Sequence, residues 1–114
     1  MSQQIDANTG LPYVIKRPTE SKTYTVDMAQ IMPSDVEVAS VVSVSIAAEG
    51  LVSPPVATLA EISHAFSTSQ VSIKLDAGDD GENYEVSIKV AENGGSGDTH
   101  ADDFMVKVRK AGNL

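Results

Sequence analysis

Four stretches of this chain carry an apolar residue at every second position. Val42, Val44 and Ile46 do so in VVSVSI, and Val71, Ile73 and Leu75 in QVSIKL. Tyr84, Val86, Ile88 and Val90 come next in YEVSIKV, then Phe104, Val106 and Val108 in FMVKV. A period of two marks a strand with one buried and one solvated face. Most of these residues are Val or Ile, which lose rotamer freedom in a helix and pack well on a pleated surface. Ser43, Ser45, Ser72, Lys74, Lys107 and Arg109 fill the alternate positions and are expected to face water.

Weaker alternation extends the pattern. TYTVDM puts Tyr24, Val26 and Met28 on one face, and Val36 and Val38 come after a turn at Pro33, Ser34 and Asp35. EISHAFSTS alternates through Ile62, His64 and Phe66, or through Ala65 on the opposite face, so a part-buried His64 is expected. Pro54 and Pro55 restrict their segment to a sheet edge or a crossing connection, because proline cannot donate to a ladder. ENGGSGDTHADD reads as a long hairpin loop. The nearest helix candidate is MPSDVEVASVV, with Ser34 as its cap, and its β-branched run argues against it. The sum is about seven short strands with Gly and Pro turns between them, the pattern of a sandwich or small barrel.

Among such folds the expectation is an all-β, immunoglobulin-like β-sandwich. Tyr84 opens the penultimate strand directly after the turn Asp80-Gly81-Glu82-Asn83, where a tyrosine can bond back to the turn and lock a corner. The spacing is not the usual tyrosine-corner spacing, and the cysteines and tryptophan of antibody domains are absent. Residues 21–114 form the expected sandwich domain. Residues 1–20 have no sustained period, contain Pro12 and Pro18, and read as an extended N-terminal arm. Leu11, Tyr13, Val14 and Ile15 are its apolar anchors and, with Lys16 and Pro18, its candidate partner-docking residues.

Charge and composition narrow the function. Sixteen acidic against eight basic residues give a net charge of −8. That sign repels nucleic-acid phosphates and anionic lipid surfaces, so neither nucleic acid nor membrane is an expected partner. No apolar run approaches the ~18 residues of a membrane helix, and the first ten residues show no signal-peptide pattern. There are no cysteines, which fits folding in a reducing cytosol.

The candidate chemistry is sparse. Asp79, Asp80, Gly81 and Asn83 are turn-forming types; a calcium site there would need six to eight oxygens from more than one loop. Asp98, His100, Asp102 and Asp103 read as a solvated hairpin tip. GGSG at 94–97 lacks the Lys-Ser/Thr of a phosphate loop and precedes a strand. His64 and His100 are the only histidines, and no serine sits in a nucleophile-elbow pattern. No catalytic residue, metal or cofactor is expected, and the chain reads as a non-enzyme.

With the strands placed, the chain resembles the fibre–tail adaptors of tailed phages and prophages. In that family a Lys-x-Pro segment precedes a strand ending in Val-Asp-Trp, then a Gly-Asp-x-Ile turn and another strand. Here Lys16 and Pro18 match the first part, Tyr24, Val26 and Asp27 the strand, Asp35 and Val36 the turn, and 42–46 the next strand. The family's close, a Gly-x-x-Tyr start, a glycine-rich hairpin and a charged last strand, is matched by Gly81, Tyr84, Asp103, Val106, Val108 and Arg109. Met28 stands where a Trp is usual, and Ser34 replaces the glycine before Asp35.

The resemblance covers about residues 15–110 and implies a non-enzymatic virion protein, assembled in the host bacterial cytoplasm. It implies multiple symmetric copies or a ring, joining tail or neck to fibres or spikes. The implied partners are tail, neck, portal-proximal or fibre proteins. Two further readings are a capsid decoration protein and a host- or carbohydrate-binding module. Against the latter stands the lack of Trp to stack on a sugar ring.

Overall fold

A computed structural model describes residues 4–5, 10–32, 36–49, 58–93 and 97–110 of the 114-residue chain. The chain is all-β and its strands form two sheets. In chain order the strands are β1 (Gln4–Ile5), β2 (Pro12–Lys16), β3 (Lys22–Asp27), β4 (Val38–Ala48), β5 (Leu59–Ser67), β6 (Gln70–Ala77), β7 (Asn83–Glu92) and β8 (Thr99–Val108). Seven of them have five residues or more; β1 is a two-residue pairing. Among the described residues the only helical piece is a 3-10 turn at Met28–Gln30. Asp27 caps it by accepting the Ala29 N–H at 3.0 Å.

The larger sheet has the order β1-β2-β8-β7-β4 and the smaller β3-β6-β5. All pairings are antiparallel except β2 with β8, which run parallel. The expected arm segment Pro12–Lys16 is thus a strand of the larger sheet. Its Val14 aligns with Val106 and its Lys16 with Val108. This order is consistent with an immunoglobulin-like sandwich, in which one sheet takes strands B, E and D and the other C, F and G.

One core joins the sheets. Val71, Ile73 and Leu75 of the smaller sheet pack with Tyr84, Val86, Ile88, Val90, Val106 and Val108 of the larger, and all nine are fully buried. The rings of Tyr24 and Phe104 meet across the sheets at 6.0 Å between centroids. The alternation read in β6, β7 and β8 therefore names their inward faces correctly.

β4 departs from the expected phase. Register shifts lie between Val38 and Ser40 and between Val41 and Ser43. Each inserts one residue, and a bulge of this kind flips the face presented by the residues beyond it. Val41, paired with Val90, packs against the core with Val44 and Ile46. Val42, expected inward, is 52% exposed.

β5 departs further. A register shift between Glu61 and Ser63 leaves Ile62 as the extra residue, and it is 55% exposed. Leu59 is buried, while His64 and Phe66 lie open at the sheet edge. The part-buried His64 expected from alternation is thus an exposed residue, on a strand that among the described residues pairs only with β6. The turns expected at 33–35 and 54–55, and Gly94, Gly95 and Ser96, lie outside the described residues.

Candidate docking surface

The end of β2 is fixed by a lysine. Lys16 keeps the alternation of Val14 and so points inward, where it is fully buried. Its ammonium donates to the carbonyl of Ala77 at 2.5 Å and to that of Arg17 at 2.8 Å. Burial holds its pKa below the usual lysine value of 10.5, an effect that the negative charges of Asp76 and Glu20 oppose. The Arg109 N–H donates to the Lys16 carbonyl at 2.9 Å, so backbone bonding continues past the last strand residue. Lys16, a candidate docking residue by sequence, is spent inside the fold.

The other candidates alternate along β2. Val14 packs against the core, so Tyr13 and Ile15 face the opposite side of the sheet. The Lys107 ammonium sits 4.0 Å above the centre of the Tyr13 ring, a cation–π contact on that outer face. Leu11, Tyr13, Ile15 and Pro18 are all half-buried and retain accessible surface.

Above β2 lies the corner of Tyr84. Its side chain is fully buried, and its hydroxyl accepts the Asp79 N–H at 2.8 Å and lies 2.9 Å from the Thr58 hydroxyl. The tyrosine thus bonds back to the turn before it. Gly81, at φ +90, donates its N–H to the Val108 carbonyl at 2.8 Å, and Asp80 accepts the Lys110 N–H at 2.7 Å. Positive φ is open to glycine at little cost. The acidic turn therefore acts as a clasp between the start of β7 and the end of β8. Among the described residues no group of three or more His, Asp or Glu is placed to hold a metal ion.

The histidines are apart. His64 Nδ1 lies 2.6 Å from Glu61 on exposed β5, and His100 Nε2 lies 2.9 Å from the buried Glu92. Asp102 bonds its own neighbour, accepting the Asp103 N–H at 3.0 Å. No pairing brings a serine hydroxyl and a carboxylate to one of these rings among the bonds described.

What the sequence did not show is a groove at the open side of the sandwich, between β2 and β8 on one sheet and β3 on the other. It has a volume of ≈ 460 Å³ and is lined by Pro12 to Val14, Tyr24 to Asp27, and Asp102 to Phe104. Tyr24, Val26, Val14 and Phe104 give it an apolar floor; Asp27, Asp102 and Asp103 supply three carboxylates and no basic residue lines it. The Tyr24 hydroxyl is buried and meets no hydrogen-bond partner among the described residues. Burial, with the nearby negative charge of Glu20, pushes its pKa up to about 12. A second surface, on β5, exposes Ile62 and Phe66. Only the order of the strands brings these residues together.

Comparison with known proteins adds one match. The model of a family described as podophage GP4 fiber-tail adaptor protein gp77 matches residues 16–107, from the buried lysine to the penultimate residue of β8. No curated protein matches the chain.

Proposed function

Since the chain belongs to the podophage GP4 fiber-tail adaptor family, we propose that it is a non-catalytic joint of the virion, set between tail or neck proteins and the fibres. The observation that carries this reading is the family match across residues 16–107, from the last residue of β2 through all of β8 but its last residue. In this reading the joint is made by surface, and the core serves only to hold that surface rigid.

The docking residues are proposed on the flank of the larger sheet. Tyr13 and Ile15 on the outer face of β2, with Leu11 and Pro18 beside them, form the contact. Val14 and Lys16 act from within, fixing the strand that presents the others. The edge of β5, with Ile62 and Phe66, is a second contact. Exposed edges and apolar side chains suit main-chain pairing with a neighbour. Multiple symmetric copies in a closed ring would multiply contacts that are weak one at a time.

Electron cryo-microscopy of virions from the phage encoding this chain tests the reading. Density for the sandwich at the tail or neck, with β2 against another chain, is the expected result. Density on the capsid lattice would transfer the protein to a decorating role, and absence from purified virions would overturn the reading.

A further inference from the structure

Among the described residues the smaller sheet has three strands, and β3 is at one end of it. In the constant-type immunoglobulin arrangement, four strands form the sheet that here contains β3, β6 and β5, and the fourth lies beside the first of these. Among the described residues nothing pairs with that side of β3. An edge strand presents a row of backbone N–H and C=O groups ready to bond another chain. β3 is only six residues long, Lys22–Asp27, and four of them line the groove.

The opposite wall repeats the situation. β2 begins at Pro12, and its alignment with β8 starts at Met105. The first half of β8, from Thr99, pairs with β7 alone among the described residues. Segments of two short strand edges therefore line one groove.

The chemistry of the groove selects the occupant. Its apolar residues are Tyr24, Val26, Val14 and Phe104, and it carries Asp27, Asp102 and Asp103 against one cation beside the lining, Lys107 over the Tyr13 ring. The buried Tyr24 hydroxyl adds a donor and acceptor without a partner among the described residues. A second copy of this chain, itself at −8, would meet repulsion there. A segment alternating apolar and cationic side chains would cover the apolar residues and neutralise the carboxylates while its backbone bonded the edge.

We propose that this groove takes an extended, lysine- or arginine-bearing segment of a neighbouring virion protein, laid along the edge of β3 that no described residue pairs with. The proposal rests on the adaptor reading for the source of the segment; the groove's preference for such a segment is testable without it.

The test is titration of the 15N-labelled full chain with a decapeptide alternating Val and Lys, and with its Val and Glu counterpart. The Lys peptide should shift amide signals of β3 and of the first half of β8, and slow hydrogen exchange in β3; the Glu peptide should not. Asp102→Asn combined with Asp103→Asn, which leaves the capping Asp27 in place, should weaken binding about 5- to 10-fold. Equal binding of both peptides, shifts confined to β5, indifference to the double substitution, or no shift at millimolar peptide would each overturn the proposal. None of these results would touch the adaptor reading, which stands on the position of the protein in the virion. A photo-cross-linking residue at position 25 in assembled virions identifies the source. Capture of a Lys- or Arg-bearing segment of another protein is the expected result. Capture of a second copy of this chain would overturn the assigned occupant.

Discussion

The ammonium of Lys16 and the carbonyl of Ala77 are 2.5 Å apart and sixty-one positions distant in the chain. Ala77 stands at φ +65, a backbone region that residues with a side chain rarely enter. The lysine thus ties the only parallel strand of the larger sheet to a strained turn at the end of β6 in the smaller one. A polar side chain joins the two sheets beside the core residues Val108 and Leu59.

Removing that tie should destabilise the fold. Lys16→Ala loses two hydrogen bonds and leaves a cavity, and should lower the unfolding free energy by about 2–4 kcal/mol. Lys16→Met keeps the packing and should lose about half of that. Urea denaturation of both variants checks the prediction, and equal stability of Lys16→Ala and the parent would refute it. The lysine also gives a pH signature. Its folded-state pKa lies below 10.5, so in the alkaline window below 10.5 the unfolded chain binds the proton more readily. The stability contributed by position 16 should therefore rise with pH there, and Lys16→Met should abolish the rise.

Tyr84→Phe removes the acceptor of the Asp79 N–H and the partner of the Thr58 hydroxyl while leaving the ring in the core. The cost should be about 1–3 kcal/mol, because a buried donor loses its partner. Thermal unfolding reads it directly. Hydrogen exchange should quicken at Asp79.

Gly78 should not tolerate a side chain. Its φ is +100, and an added Cβ would lie 2.8 Å from Val108 Cγ2 in the clasped end of the sandwich. Gly78→Ala therefore meets both backbone strain and a clash, for a loss of about 1–3 kcal/mol. Gly97, also at positive φ, has nothing within 4 Å of such a Cβ and serves as the comparison, with backbone strain alone.

Tyr24 predicts a second alkaline effect, of opposite sign. In the fold its hydroxyl holds its proton until about 12, against 10.0 in the unfolded chain. Between these values the unfolded state loses the proton first, so the parent should lose stability as the pH rises from 10 to 12. Tyr24→Phe should flatten that fall. At neutral pH the variant should be at least as stable as the parent, since a buried hydroxyl without a partner is removed.

Ile62→Ser and Phe66→Ser should cost no more than about 1 kcal/mol each, because each side chain is already about half in water. Incorporation into virions is the informative readout. Under the adaptor reading, the double variant should assemble less well than its small loss of stability alone would allow.

The local rules carried a long way in this chain. Val71, Ile73 and Leu75, and then Tyr84 to Val90 at every second position, announce both the strand and its buried face, because side-chain direction in a strand depends on the residue's own position in the pleat. Tyr84 after Gly81 announced a corner for a similar reason: the turn and the tyrosine are neighbours in sequence. The family resemblance was legible in the order of such short motifs, and the match over residues 16–107 agrees with it.

Where pairing decides, the sequence was silent. Val42 and Val41 are chemically identical, and only the register with β7 decides that Val41 turns in. Ile62 and Phe66 alternate like core residues, yet they stand open: a bulge displaces Ile62, and among the described residues β5 pairs only with β6. Residues 12–16 read as an arm because their period is short and prolines flank them; the parallel partner that makes them a strand lies some ninety residues on, in β8. Lys16 looked like a surface charge, and only the arrival of the Ala77 carbonyl beside it explains its burial. The groove joins Asp27, which the sequence placed at the end of a strand, to Asp102 and Asp103, which it read as part of a hairpin tip and which the structure places in β8. Periodicity is set residue by residue along the backbone, while edges, bulges and grooves exist only once strands have chosen their neighbours.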